Sequence, residues 1–292
     1  MKTWLIRLLL AVTVLATPSA WSAVSCSLSA NPAQVKGFYS AFQFTNVDMQ
    51  GTFDLSCTRD PNSDPRKPQI WIGVDTAGGT LTQEGGTSTL NYAVYHRAAG
   101  SGLWTNTGGV AANSTNTGAV VGNLNFNGQS ATDTISFNFW IRVPSWQLFR
   151  PAGVYQGIAM VTLRLNNATG PILTQVPLET LISIPKECHF SNPPTPINIS
   201  YPAFSPTAVT GASTFGLTCT QDTTYTMQLD VTRSVIPTVE LSYGLTLNAG
   251  SGTGSATSQS YTIDVSVDPG QAGRCAGAVC SGTDTRTITI TY

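Results

Sequence analysis

The sequence predicts an all-β protein built as two β-sandwiches in tandem, the second lacking its final strand. Three observations carry this. Short runs of alternating apolar and polar residues recur along the chain, punctuated by Gly, Asn and Pro. The text around the cysteines occurs twice. One long alternating run, ILTQVPLETLISI from Ile172 to Ile184, follows the first copy and has no counterpart after the second.

Taken in order, the chain opens on an export signal. Lys2 and Arg7 accompany an apolar run from Leu8 to Ala16 that is too short to span a membrane. Cleavage is expected after Ala20-Trp21-Ser22, or after Pro18-Ser19-Ala20, so residues 1–22 are assigned to the signal. The mature chain then starts a few residues before Cys26. The full sequence's net charge of −1 and low charged fraction, 10%, leave no basic stripe for nucleic acid. Six cysteines in an exported chain indicate disulfides formed in an oxidising compartment.

The duplication is read from Cys26 and Cys57, 31 positions apart, and Cys188 and Cys219, also 31 apart. Thr52-Phe53-Asp54-Leu55-Ser56-Cys57-Thr58 matches Thr214-Phe215-Gly216-Leu217-Thr218-Cys219-Thr220. Alternation turns Phe53, Leu55 and Cys57 into one core and Phe215, Leu217 and Cys219 into the other. Cys26–Cys57 and Cys188–Cys219 are the natural pairs, each removing roughly 3–4 kcal/mol of unfolded-state entropy. Cys275 and Cys280 close a short loop as a third disulfide; the alternative, a metal pair, lacks the further ligands zinc needs.

Further strands are expected at Gln69–Val74, Leu90–Tyr95, Thr134–Val143 and Ile158–Leu165 in the first copy. In the second they are Thr224–Val231, Val239–Leu247, Tyr261–Val267 and Thr287–Tyr292. Leu90-Asn91-Tyr92 echoes Leu241-Ser242-Tyr243. In the 172–184 run, Ile172, Thr174, Val176, Leu178, Thr180, Ile182 and Ile184 form the inner face, with Gln175, Pro177, Glu179 and Ser183 outside. Pro177 cannot donate a ladder hydrogen bond, which places this strand at a sheet edge.

The ordered motifs resemble the spore coat protein U domain, a family that includes subunits of archaic chaperone–usher pili. In the first copy the matching residues are Gly51 to Thr58, Leu90-Asn91-Tyr92-Ala93-Val94-Tyr95, Trp104, Gly153-Val154-Tyr155 and Ile158 to Leu165. In the second they are Thr214 to Thr220, Leu241 to Tyr243 and Ile288-Thr289-Ile290, without the Trp and the G-x-Y. The resemblance implies immunoglobulin-like sandwiches completed by a borrowed strand. The expected domains are 23–185, closed in cis by residues 172–184, and 186–292, which accepts a donor strand beside Ile288 and Ile290. With so little chain ahead of Cys26 there is no strand to donate, so a tip adhesin for surface attachment and biofilm formation is expected, exported through the periplasm to the cell surface. Its implied partners are a periplasmic chaperone, an outer-membrane usher, the next pilus subunit and an abiotic or host surface. The runner-up is a secreted, self-assembling coat or matrix protein.

Two stretches are candidates for adhesion. Val120, Val121 and Leu124 lie in an inserted Gly/Asn/Thr segment, Gly100 to Gln129, and would tip an apolar finger or else add ordinary strands. Trp146, Leu148 and Phe149 cluster between Pro144 and Pro151, as a contact site or as packing at the domain junction. Trp71 and Trp140 are expected in the core. No catalytic residue, metal site or cofactor is assigned: His96 and His189 stand apart, Asp60 and Asp64 sit in a turn-rich loop, and no nucleophile or phosphate-loop motif is present.

Overall fold

A computed structural model describes residues 24–60, 67–76, 79–97, 102–104, 120–126 and 131–292. The expected signal, Asp64 and most of the inserted segment lie outside the described residues. The first copy supplies β1 (Val24–Asn31), β2 (Gln34–Phe38), β3 (Val47–Arg59), β4 (Gln69–Asp75), β5 (Thr80–Gln83), β6 (Thr89–Asn91), β7 (Ala93–Tyr95), β8 (Val120–Asn123), β9 (Thr132–Val143), β10 (Gly153–Leu165) and β11 (Ile172–Ile184). One sheet runs β1-β3-β9-β7; the facing sheet runs β2-β11-β10-β4-β8, with β5 bridging β10 and β6. The second copy supplies β12 (Cys188–Asn192), β13 (Val209–Cys219), β14 (Thr224–Leu229), β15 (Arg233–Ile236), β16 (Leu241–Leu247), β17 (Ser251–Thr253), β18 (Gln259–Val267) and β19 (Ile288–Thr291). Its sheets run β12-β13-β18-β16-β15 and β17-β14-β19. Both copies are immunoglobulin-like sandwiches, and no helix occurs among the described residues.

The repeated motif builds each core as its alternation dictates. Phe53, Leu55 and Cys57 are buried in one cluster, Phe215, Leu217 and Cys219 in a separate one. Cys26 lies opposite Cys57 in register, and Cys188 opposite Cys219, so each disulfide ties an edge strand to its neighbour. Cys275–Cys280 closes the third.

Several expectations change. β11 is not an edge strand along its whole length: β10 pairs antiparallel on one side and β2 pairs in parallel over Glu179 to Ser183 on the other. β2 stops short of Pro177, so the proline's missing donor faces no strand. Trp71 and Trp140 do not fill the core, because their neighbours Ile70, Ile72, Phe139 and Ile141 take the inward positions. Among the described residues the buried tryptophan is Trp104, whose indole donates to the Ile72 carbonyl at 2.8 Å. Leu90–Tyr95 is two strands, not one. The chain crosses from one sheet to the other at buried Tyr92.

Candidate functional site

The duplication lets each strand of the second sandwich be matched to one in the first. β12, β13, β18 and β16 repeat β1, β3, β9 and β7, while β14 and β19 repeat β4 and β10. In the first copy β10 is followed across the sheet by β11 and then β2. In the second, β19 pairs with β14 over four positions, from Thr226↔Thr291 to Leu229↔Ile288, and no strand among the described residues lies on its other side. Ile288 and Ile290 face the core but are only half-buried.

The other wall of this gap was not singled out from the sequence. Tyr39, which follows β2, corresponds to Tyr201: each phenol oxygen accepts the backbone N–H of a glutamine, Gln147 at 2.9 Å and Gln271 at 3.0 Å. Buried Val35 of β2 then corresponds to Ile197. Ile197, Ile199 and Tyr201 alternate with Asn198 and Ser200, pack on the second core, and belong to no sheet. Their period of two after Pro193-Pro194-Thr195-Pro196 was the available signal. Thus the positions flanking β11 in the first sandwich are both present in the second, and no strand among the described residues lies between them.

The core registers that gap. Ile141, Phe139 and Val94 are fully buried at 0% exposure, whereas their counterparts Val265, Ile263 and Leu245 remain 9%, 9% and 8% exposed. In the first copy β11 turns Leu178, Thr180, Ile182 and Ile184 onto that core. A strand carrying about five such side chains brings on the order of 8–15 kcal/mol of burial, comparable to the ~5–15 kcal/mol that holds a whole domain folded.

A polar cluster anchors the lead into β19. The Tyr243 hydroxyl donates to Asp284 at 2.6 Å, and Arg286 Nε donates to that hydroxyl at 2.9 Å. Arg286 also pairs with Asp284 and, at 3.6 Å, with Asp230, while its guanidinium reaches Ser234. The Tyr243 hydrogen bond, helped by Arg286, holds the Asp284 carboxyl below its usual range.

The adhesive candidates separate. Leu124 is a correction: it is fully buried, because β8 adds to β4 and carries Leu124 and Phe126 beneath the first core. Val120 is half-buried against that core, and Val121 is exposed on the outer face opposite Trp71. Trp146 and Phe149 are exposed, Leu148 half-buried. Trp146 packs against exposed Phe44 with ring centroids 4.6 Å apart and the ring planes tilted by 51°. Both Trp146 and Phe149 adopt positive φ, 64° and 62°.

The loop that holds them is itself duplicated. Gln147 accepts from Asn91 N–H at 2.6 Å and donates to the carbonyls of Asn91 at 2.9 Å and Pro144 at 3.2 Å. Gln271 accepts from Ser242 N–H at 2.7 Å and donates to the carbonyls of Ser242 at 2.8 Å and Asp268 at 3.0 Å. The left-handed positions occupied by Trp146 and Phe149 are Gly270 and Gly273 in the second copy, at φ 76° and 65°. Glycine is the unstrained residue there; a bulky aromatic is held against its preference. Among the described residues no group of His, Cys, Asp and Glu is arranged to hold a metal ion.

The Spore Coat Protein U domain model matches residues 10–162, more than half of the chain. No curated protein matches the chain by sequence. Among solved structures, the chain is similar to one in the CsuC–CsuE chaperone–tip adhesion subunit complex from archaic chaperone–usher Csu pili of Acinetobacter baumannii, at 15% identity and TM-score 0.49, covering 92% of this chain and 100% of that one. It is similar to the CupB6 tip adhesin of Pseudomonas aeruginosa at 12% identity and TM-score 0.39, covering 92% and 95%. The CooA pilin subunit of enterotoxigenic Escherichia coli matches at 14% identity and TM-score 0.36, covering 56% and 99%. By its repeated motifs and by the family model, the chain belongs to the spore coat protein U domain family.

Proposed function

We propose that this protein is the tip adhesin subunit of a chaperone–usher pilus, with an adhesive domain over residues 23–185 and a pilin domain over 186–292. The observation that carries this reading is the gap between Ile197–Tyr201 and β19, beside a core more exposed than its twin. Backbone groups on an unpaired sheet edge are a template for an incoming strand. A periplasmic chaperone fills the gap first, and at the outer-membrane usher the next subunit replaces it. The first sandwich, already closed by β11, offers no such gap and projects from the fibre end to meet an abiotic or host surface, promoting attachment and biofilm formation.

The adhesive contacts are drawn from Val120 and Val121 and, on the flank nearest the second domain rather than at the far end, from Trp146, Leu148 and Phe149, whose loop reaches that domain through Pro151 and Gln221. Neutral, apolar groups of this kind adhere by area alone, at ~25 cal/mol per Å², without a specific ligand.

Co-expression of the full chain with a periplasmic chaperone encoded beside it tests the assembly reading. A stoichiometric complex is expected, with aggregation or degradation when the chaperone is omitted. A soluble chain that ignores the chaperone and self-associates into a layer instead supports a coat or matrix protein. In assembled pili, polar replacement of Val120 and Val121, or of Trp146 and Phe149, is expected to reduce attachment to plastic without changing pilus number.

A further inference from the structure

We infer that Phe204, at the pole of the second sandwich remote from the first, is a docking contact for the folded body of the subunit that donates the missing strand. This rests on the accepting-groove reading above. It follows from what the same pole does in the first copy.

Tyr39-Ser40-Ala41-Phe42 is repeated as Tyr201-Pro202-Ala203-Phe204. Both stretches close a four-residue turn, Gln43 N–H to the Ser40 carbonyl at 3.2 Å and Ser205 N–H to the Pro202 carbonyl at 3.1 Å, with Phe204 in a left-handed conformation, φ 58°, that Phe42 does not share. Both tyrosines carry the same glutamine lock. Phe42 and Phe204 are therefore equivalent positions, with different surroundings. Phe42 is half-buried, its ring edge-on to His189 at 4.6 Å, and His189 directly follows the first cysteine of the next domain. Beside it, the Ser40 hydroxyl donates to Glu187 at 2.7 Å and Pro151 bridges to Gln221. Phe204 meets no such partner and is 69% exposed.

Chain direction explains why a domain arrives at this pole. β11 runs antiparallel to β10 and ends at Ile184, opposite Gly153, where Tyr39 N–H binds the Ser183 carbonyl at 3.0 Å. Residues 185–187 then deliver the second domain onto Phe42. A donor strand in the matching position, antiparallel to β19, ends beside Ile288 and Tyr201. Whatever follows that strand is delivered onto Phe204. The surrounding charges are already paired within this chain, Arg233 with Asp268 and Arg274 with Glu240. The pole thus presents Phe204 and, on the Cys275–Cys280 loop, exposed Val279 as neutral apolar contacts. The partner that fits is a sandwich of this same type with a ring or other flat side chain directly after its first cysteine.

The test places p-benzoylphenylalanine at position 204 of the full chain in the bacterium that makes it, then irradiates sheared fibres. One adduct with a second pilus subunit is expected, and none from the same group at Thr246 on an outer sheet face. Phe204→Ser is exposed and leaves the fold intact; it is expected to release the chain from fibres in urea roughly three- to tenfold faster, the size of an aromatic contact, whereas Phe204→Tyr behaves as wild type. Fibres that contain the chain but give no adduct, or unchanged release for Phe204→Ser, overturn the contact and leave strand acceptance standing. A chain never recovered in fibres overturns both.

Discussion

The two sandwiches share a plan and differ chiefly beside their last core strand. In the first, β10 is covered by β11 and β2, and the core behind it is sealed. In the second, β19 stands at an edge, Ile197–Tyr201 lies across from it unpaired, and Val265, Ile263 and Leu245 retain measurable exposure. Much else is preserved: the Cys–Cys tie, the Phe-x-Leu-x-Cys strand, and the glutamine that joins the turn after the third core strand to its neighbours. The gap beside β19 is therefore the chief difference between two sandwiches of one plan. That is the form expected of a site built to receive a strand.

The largest break in the comparison comes from charging the closing position. Ile182→Asp puts an unpaired carboxylate into a fully buried site of β11, and is expected to cost the first sandwich more than ~4 kcal/mol in urea unfolding. Ile290→Asp, on half-buried β19, is expected to leave the first sandwich's transition unchanged and to abolish capture of a donor strand, read by pull-down with the chaperone.

Next come the duplicated locks. Gln147→Ala and Gln271→Ala each strand a backbone N–H and two carbonyls, and each is expected to cost about 1–3 kcal/mol in its own domain. Markedly unequal losses, measured in a chain with a donor strand appended, count against a shared architecture. A smaller effect of opposite sign is expected where the copies diverge. Trp146→Gly or Phe149→Gly relieves a left-handed aromatic and gains up to about 1 kcal/mol, while Gly273→Phe loses about as much. Attachment should fall in the first two variants as stability rises.

The smallest effect is a pH dependence confined to the second domain. Tyr243, Arg286 and Ser234 surround Asp284 and hold its pKa below the usual carboxylate value. A carboxyl whose pKa is depressed on folding contributes stability above its ordinary unfolded pKa and loses it as pH falls below that value and through the lower folded one. Asp284→Asn is expected to flatten the acid limb of the second transition and leave the first unaltered.

Much of this plan could be read in the sequence because it rests on alternation and repetition. Phe53-x-Leu55-x-Cys57 and its twin announce both cores, and the 172–184 run announces the closing strand. Four features escaped for physical reasons. Trp71 and Trp140 were drawn inward by their size, yet the pleat gives their neighbours the buried side. Leu124 stands in a Gly- and Asn-rich stretch that reads as a loop, and only its proximity to β4 sinks it into the core. Ile197–Tyr201 is a strand in pattern but not in pairing, since its partner is absent among the described residues. The glutamine lock was equally hidden, because Pro144-Ser145-Trp146-Gln147-Leu148-Phe149-Arg150 and Asp268-Pro269-Gly270-Gln271-Ala272-Gly273-Arg274 share little beyond Gln and Arg.

The missing strand is tested most directly by calorimetry of the full mature chain, with and without a donor strand appended after Tyr292 through a flexible linker. With the appended strand, two cooperative unfolding transitions are predicted; without it, only the transition of the first sandwich. Two full transitions in the unappended chain would contradict an open second sandwich.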